Sequence, residues 1–395
     1  MRVTHVITRL VVGGAQENTI ASVLGLRKKK GVEVTLVSGP TTGPEGSLEH
    51  LCAKVPALLT IVPELVRPIH PWFDFVALRR LTELFRQYAP EIVHTHSGKA
   101  GILGRLAASR SGVPTIIHTI HGPSFGPFQG SISNILFRSA EAYVARVTTH
   151  FVVVGEAMRR QYLAAGIGRA DQYSKIFSGF SLEPFAEAKN DLRLRASLGL
   201  KPEDIIVGKI ARLFKLKGHE DLFAVAPALI RECPHLKFLL VGDGPSRKHF
   251  ETQTRSLGLE NKFVFTGLVS PEEIPKYVGI MDVLVHLSLR EGLPRALPQA
   301  LAAARPVIAY DCDGANEVCI EHETGFLLHP GDLKGLTERL LRLANNPALR
   351  VRLGVYGQRF VQERFGVDRM IQDLQELYLR LRPTNPTLVA SKSSQ

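Results

Sequence analysis

Apolar positions along the chain follow two alternating patterns. Short continuous runs suit strands buried on both faces, and longer stretches with apolar residues three and four apart suit helices. Residues 2–10 predict a strand. A helix over 15–30 follows, ended by Gly31, and then a strand over 32–38. Residues 39–46 are rich in Gly, Pro and Thr and predict a loop. Residues 77–88 are amphipathic, with Leu78, Leu81, Leu84 and Phe85 on one face. Strands over 92–94, 115–119 and 151–154 alternate with helices over 100–109 and 132–147. This rhythm predicts a parallel sheet covered on both faces.

Residues 178–204 lack strong periodicity and hold Gly179, Pro184 and Pro202, so a domain linker is expected there. A second rhythm follows. Strands are predicted over 205–210, 237–241, 263–265, 283–285, 306–310 and 325–328. Helices are predicted over 220–232, 247–257, 271–278, from 293 onward, 333–343 and 359–381. The expectation is α/β: two Rossmann-like domains, 1–180 and 195–358, with a cleft between them and a final helix free to pack back on the first. The Ser/Thr/Pro-rich tail, 384–395, is expected to be disordered.

Candidate chemistry gathers at predicted strand ends, where open α/β sheets bind ligands. Glu291 lies between a strand and the helix that Leu293-Pro294 is expected to open, so a ligand contact and a solvated loop carboxylate are equal readings. Gly13-Gly14 follows the first strand; glycines there admit a ligand, although a plain tight turn suffices. His94-Thr95-His96 and His118-Thr119-Ile120-His121-Gly122 end two neighbouring strands. Metal binding is one reading of four histidines. No carboxylate or cysteine completes a set nearby, so substrate contact is favoured, with His121 the best placed and packing near the strand ends the alternative for His94 and His118. Arg212, Lys215 and Lys217 end another strand before a helix, which suits a diphosphate or a solvated basic loop. Asp243 in Gly242-Asp243-Gly244-Pro245 and Glu317 after Asp313-Gly314 read as turn, packing or capping residues.

Charge narrows the partners. The 395 residues carry a formal +12. Residues 1–190 hold 21 Lys/Arg against 13 Asp/Glu (+8), and the remainder 28 against 24 (+4). No aromatic-basic platform or helix-turn-helix signature points to nucleic acid. A phosphorylated substrate or an anionic membrane surface is more economical. The stretch from Pro71-Trp72-Phe73 to Arg86 suits membrane contact, though a buried helix explains it equally well. Lys28-Lys29-Lys30 reads as a solvated helix end. Cys52, Cys233, Cys312 and Cys319 have no metal-site or redox spacing, which fits reduced thiols in the cytoplasm. Residues 1–12 are interrupted by His5 and Arg9 and read as a strand, not a signal peptide.

Together these motifs resemble the retaining glycosyltransferases of family 4, which have the GT-B fold. The resemblance runs in order through Gly13-Gly14, His94-Thr95-His96, His118 to Gly122, Arg212 to Gly218, Val241 to Pro245, Phe265-Thr266-Gly267, Glu291-Gly292-Leu293-Pro294, Ala302 to Pro306 and Gly325-Phe326-Leu327. It implies a nucleotide diphosphate sugar donor held mainly by the second domain, with no metal or other cofactor. Arg212 and Lys217 would bind the diphosphate and stabilise the leaving nucleotide. Glu291 would accept from sugar hydroxyls. Gly292, Leu293 and Pro294 would line sugar and phosphate, Pro294 through its carbonyl alone. Leu268 and Val269 would touch the base, and Gly13 and Gly14 would approach the diphosphate. His121 matches the active-site histidine, with His94, His96, His118 and Gly122 on the acceptor side. The implied chemistry is front-face transfer with retention, onto a lipid-linked or cell-surface glycan, without the opposed carboxyl pair of a glycosidase.

The sequence departs from the pattern in three places. Gln299 stands where a second Glu is usual, eight positions after Glu291; its amide offers one acceptor oxygen to ribose instead of two. Gly155-Glu156 replaces Ser-Glu, and Ser178-Gly179-Phe180-Ser181 replaces Asn-Gly-Val-Asp. Two other classes remain open: a sugar-nucleotide-binding scaffold weakened at Gln299, and a GT-B epimerase or phosphorylase.

Overall fold

A computed structural model describes residues 1–42, 46–96, 98–126 and 128–382. The expected disordered tail, 384–395, lies outside them. The chain forms two compact units. The first holds Met1–Gly179 and the segment from Val367; the second is Phe180–Gly366.

The first unit carries seven parallel strands: β1 (Arg2–Ile7), β2 (Glu33–Ser38), β3 (Leu59–Ile61), β4 (Ile92–His96), β5 (Thr115–Ile120), β6 (His150–Val153) and β7 (Tyr173–Lys175). Between them run α1 (Gly14–Arg27), α2 (Glu49–Ala53), α3 (Pro71–Tyr88), α4 (Gly98–Arg110), α5 (Ser131–Ala145) and α6 (Glu156–Ala164). The second unit begins with α7 (Glu183–Ala186) and α8 (Leu192–Ser197). Its parallel strands are β8 (Ile205–Ile210), β9 (Leu236–Val241), β10 (Phe263–Phe265), β11 (Val283–His286), β12 (Val307–Tyr310) and β13 (Gly325–Leu328). Its other helices are α9 (His219–Glu232), α10 (Arg247–Ser256), α11 (Ile274–Gly279), α12 (Ala296–Ala302), α13 (Leu333–Ala344) and α14 (Pro347–Arg364). The last helix, α15 (Val367–Leu381), belongs to the first unit.

Strand order fixes where ligands are expected. It is β3-β2-β1-β4-β5-β6-β7 in the first sheet and β10-β9-β8-β11-β12-β13 in the second. The winding direction reverses between β1 and β4, and again between β8 and β11. Helices on either side of each reversal leave a crevice at the strand carboxyl ends.

Period two sorts the first sheet's faces. Val3, Ile7, Ile92 and Ile117 pack with Ile20 and Val23 of α1 and Met370, Leu374 and Tyr378 of α15. Val6, Val93 and Ile116 pack on the opposite face with Leu81 and Phe85 of α3 and Ala107 of α4. In the second unit Val207, Phe238, Val283 and Ile308 pack with Leu222 and Leu229 of α9 and Leu340 of α13.

Three expectations change. The expected linker holds two helices anchored to the second unit. Asp191 caps α8 by accepting from the Arg193 and Leu194 amides. The buried Arg195 guanidinium donates to the carbonyls of Asp204 and Ile280 and pairs with Asp282. These anchors are polar, so apolar periodicity does not reveal them. The expected helix over 359–381 is two helices: α14 starts at Pro347, capped by the Asn346 side chain, and ends before Phe365-Gly366. In α12, Pro294 lies outside the helix; Pro298 is its third residue, within the first turn, where an N–H would have no helical partner.

Candidate active site

The second unit's reversal gathers the predicted basic and acidic residues. After β8 the chain carries Arg212 and Lys217 and then enters α9 through Gly218. Gly218 has φ 62°, and a Cβ there would lie 2.0 Å from the Leu287 carbonyl oxygen. Only glycine lets the β8 loop press against the end of β11. This places the Lys217 ammonium 2.5 Å from Oε1 of Glu291, to which it donates. His286 Nε2 lies 3.4 Å from the same oxygen.

A neighbouring loop holds Glu291 from behind. Its amide donates to Oδ2 of Asp313 at 2.6 Å, and the Gly314 amide donates to the Gly292 carbonyl at 3.1 Å. A Cβ at Gly314 would stand 2.6 Å from that carbonyl oxygen. Asp313 and Gly314 therefore support the Glu291 loop, in line with the packing reading of this stretch. Asp243 pairs with Arg247 at 3.1 Å, as its turn reading expects.

Burial raises the Glu291 carboxyl, but His286 and the Lys217 ammonium outweigh it and bring its pKa down to about 2. It is a carboxylate under all ordinary conditions. Burial, with Lys217 nearby, lowers the Lys209 ammonium to about 7. Burial lowers His219 to about 3, and its neutral ring is hydrogen-bonded through Nε2 to the Arg212 carbonyl at 3.0 Å. The Arg212 guanidinium lies over the Phe214 ring. Lys209 and His286 were passed over in the sequence. Their signal was a charged and a titratable residue inside otherwise apolar strands. Leu268 is exposed and Val269 half-buried, next to Gly267, whose carbonyl accepts from the Gly242 amide. Gln299 is half-buried on α12.

The first unit's reversal gathers histidines, though not the four predicted. His5 pairs in register with His94, and His96 with Thr119. Side chains two apart share a face, so His5, His94, His96 and Thr119 lie together. His96 is hydrogen-bonded to His121 at 3.0 Å and to His5 at 2.9 Å. His94 is hydrogen-bonded to the Tyr378 hydroxyl at 2.5 Å and to Thr119 at 2.6 Å. His118 follows the packing alternative and not the acceptor-side one: it points to the opposite face, bonded to Thr95 and packed on Gly101. His94 is fully buried. Of the predicted acceptor-side set, only His96 and Gly122 adjoin His121. His5 was missed; a histidine amid the apolar residues of the first strand was the available signal. His5, His94 and His96 each bring a nitrogen within 4.8 Å of the others, a spacing able to hold a metal ion. Gly13 is extended at φ 171°, a conformation any residue adopts, and stands at the bend that leads into α1.

Comparison with known proteins identifies the family. Residues 190–360 match the family model for glycosyl transferases group 1, and residues 13–173 match the glycosyl transferase 4-like domain. The chain is a family 4-type glycosyltransferase with the GT-B fold. This glycosyltransferase is 27% identical to the UDP-Gal:alpha-D-GlcNAc-diphosphoundecaprenol alpha-1,3-galactosyltransferase of Escherichia coli, over 96% of its own length and 97% of the relative's. It is 28% identical to a GDP-mannose-dependent alpha-mannosyltransferase of Mycobacterium tuberculosis, over 80% of each chain. Its fold is similar to that of Anabaena HepE solved with UDP-glucose, with a TM-score of 0.81 and 22% identity over 96% of this chain and 100% of that one.

Proposed function

We propose that this glycosyltransferase moves a sugar, with retention, from a nucleotide diphosphate sugar to a lipid-linked or other cell-surface glycan acceptor. The observation that carries the reading is the Lys217–Glu291 pair at the β8/β11 reversal. A cation for the diphosphate and a permanent carboxylate for sugar hydroxyls stand side by side at the entrance to α9, whose free amides favour phosphate. The reading assigns Arg212 a second diphosphate contact. Leu268 and Val269 face the base, and Gly292, Leu293 and Pro294 line the sugar. In the first unit Gly13 and Gly14 serve the diphosphate, and His121 serves the reacting centre. No metal or other cofactor takes part. The relatives' names specify UDP- and GDP-linked donors, so both bases enter the test. Thermal unfolding is followed with UDP-, GDP-, ADP- and TDP-sugars, because a ligand of the folded state raises the midpoint. At least one is expected to do so and to support transfer to a diphospholipid-linked sugar. Failure of all four overturns the reading. Transfer products also separate this reading from an epimerase or phosphorylase, and turnover separates it from a binding scaffold.

Gln299 supplies a sharper prediction. If its side chain meets the ribose, Gln299→Glu restores a second acceptor oxygen and lowers the donor Kd several-fold, about the effect of 1 kcal/mol. An unchanged or raised Kd removes Gln299 from the ribose site.

The proposed lipid-linked acceptor also calls for a membrane surface. No helix among the described residues is long and apolar enough to cross a membrane. Instead, apolar side chains are exposed where α3 and α5 begin: Ile69, Trp72, Phe73 and Phe75 at one, Ile132, Ile135 and Leu136 at the other. Both helices flank α4, and in a parallel sheet both start at the strand carboxyl edge. Residues 1–190 also carry +8 of the formal charge, which favours an anionic lipid surface. We assign this edge to a peripheral contact on the cytoplasmic membrane face. Trp72 is the chain's only tryptophan and is 65% exposed. Adding anionic vesicles at low salt is expected to shift its fluorescence to the blue and to sediment the protein. No shift and no sedimentation removes the membrane contact.

A further inference from the structure

The histidines of the first sheet form more than a cluster. Starting at His121, one unbroken hydrogen-bonded chain runs through the core. His121 Nε2 meets His96 Nδ1 at 3.0 Å, and His96 Nε2 meets His5 Nδ1 at 2.9 Å. His5 Nε2 meets the Tyr378 hydroxyl at 3.3 Å, and that hydroxyl meets His94 Nδ1 at 2.5 Å. His94 Nε2 ends the chain on the Thr119 hydroxyl at 2.6 Å. Both nitrogens of His5, His94 and His96 are used, and Nε2 of His121. The elements that carry them are β1, β4, β5 and α15, all of the first unit.

A neutral imidazole has one donor and one acceptor nitrogen, whereas a charged one has two donors. A charged ring would donate on both sides, so the rings on its two sides would carry opposite tautomers. Burial opposes that charge and holds His5, His94, His96 and His121 below the ordinary histidine range. The rings are therefore neutral, and each bond needs one donor. Only two arrangements pair every bond and also use the Tyr378 hydrogen; a hydroxyl accepting from both His5 and His94 would strand its own hydrogen in the core. In one, His121 donates to His96, and donation continues through His5, Tyr378 and His94 to Thr119. In the other, every bond is reversed. In the first arrangement all four histidines carry hydrogen on Nε2; in the second, all four carry it on Nδ1. The chain thus ties the free nitrogen of His121 to a hydroxyl on the last helix. In the first arrangement Nδ1 of His121 is an acceptor, and in the second a donor.

We propose that Tyr378, His5 and His96 are positioning residues that set the tautomer of His121 through this chain. The effect on turnover rests on the placement of His121 at the reacting centre in the function proposed above; the tautomer coupling does not.

The test uses the full-length protein labelled with ¹⁵N-histidine. Two-bond ¹H–¹⁵N spectra distinguish the two neutral tautomers and the charged form. In the native protein His5, His94, His96 and His121 are expected to show one shared tautomer from pH 6 to pH 8. Mixed tautomers, or a charged ring among the four at pH 7, overturn the chain. Bound metal at one equivalent in protein purified without chelator also overturns it, because His5, His94 and His96 would then be ligands. Tyr378→Phe removes the hydroxyl that joins His5 to His94. The expected result is loss of the single tautomer at His121 and a fall in kcat of about tenfold, with donor KM unchanged. A His121 spectrum unaltered by Tyr378→Phe in folded protein overturns the coupling. An altered spectrum with unchanged kcat keeps the coupling and overturns its catalytic consequence. If Tyr378→Phe does not fold, His5→Asn replaces it. That variant keeps a group at the Nδ1 position toward His96 and cuts the link to Tyr378, so the same change at His121 is expected.

Discussion

Lys217→Met is expected to lower kcat/KM for transfer by about 10²–10³-fold, the usual effect of removing one preorganised charge from a developing anion. The leaving group of the proposed reaction is a nucleoside diphosphate, whose negative charge grows as the sugar departs. Lys217 is held for that role by constraints outside its own side chain. Gly218 adopts φ 62° and lies against the Leu287 carbonyl, so the preceding residue cannot retreat. The ammonium lies 2.5 Å from the Glu291 carboxylate, whose pKa of about 2 keeps it charged. Removing the ammonium also deprives Glu291 of its partner, so the loss has two origins. Lys217→Met combined with Glu291→Gln separates them. If the cation acts on the leaving group independently of Glu291, the double variant loses more than either single variant. If it acts only by placing Glu291, the double variant loses no more than Glu291→Gln alone, and donor binding falls with turnover. Lys217→Arg is expected to recover little, because a planar fork does not replace a compact ammonium in a fitted space. Initial rates across donor concentrations give the answer. A kcat/KM within threefold of the parent removes Lys217 from the reaction.

The parts of this site that the sequence disclosed share one property. Glu291, Lys217 and Arg212 are charged residues just past apolar strands, so patterning marks them as candidates while leaving a solvated loop open for each. Strand order then adds what patterning cannot, that β8 and β11 are neighbours. The same holds in the first unit. Period two puts His94 and His96 on one face and His118 on the other, but the face that matters depends on which strand lies alongside. The pairing of His5 with His94 comes from the β1/β4 register, a long-range fact. Elements held by apolar stripes were legible. In α15 the buried residues Met370, Ile371, Leu374, Leu377 and Tyr378 repeat at three and four. Elements held by polar contacts were not. Residues around Arg195 read as a linker because their anchor is a guanidinium bonded to carbonyls. The break at Phe365-Gly366 was hidden because helical spacing resumes beyond it.

The largest stability effect is expected at a pair that no motif contains. Arg105 on α4 and Glu141 on α5 are both fully buried, with Nη2 donating to Oε2 at 2.6 Å. Small residues of α4, Ala100, Gly101, Gly104, Ala107 and Ala108, let it lie close on the sheet, and the arginine is enclosed with them. Its other donors reach the Gly101 carbonyl and the Thr148 hydroxyl. Glu141→Leu therefore leaves a guanidinium in the core without its counter-charge, which costs about 3–5 kcal/mol. For a unit of this size each kcal/mol moves the thermal midpoint by about 2–4 °C, so a fall on the order of 10 °C is expected. Arg105→Met is expected to cost a similar amount, because a carboxylate is then stranded. The double variant discriminates between explanations. Among the described residues Oε1 of Glu141 has no hydrogen-bond partner, so the pair is incompletely compensated in its buried setting. Replacing both residues by apolar ones of similar volume removes two desolvation costs together, and such exchanges are often neutral or stabilising. The double variant is expected to recover most of the midpoint lost by either single one. Additive losses would mean that packing volume, not charge pairing, sets the cost at this position.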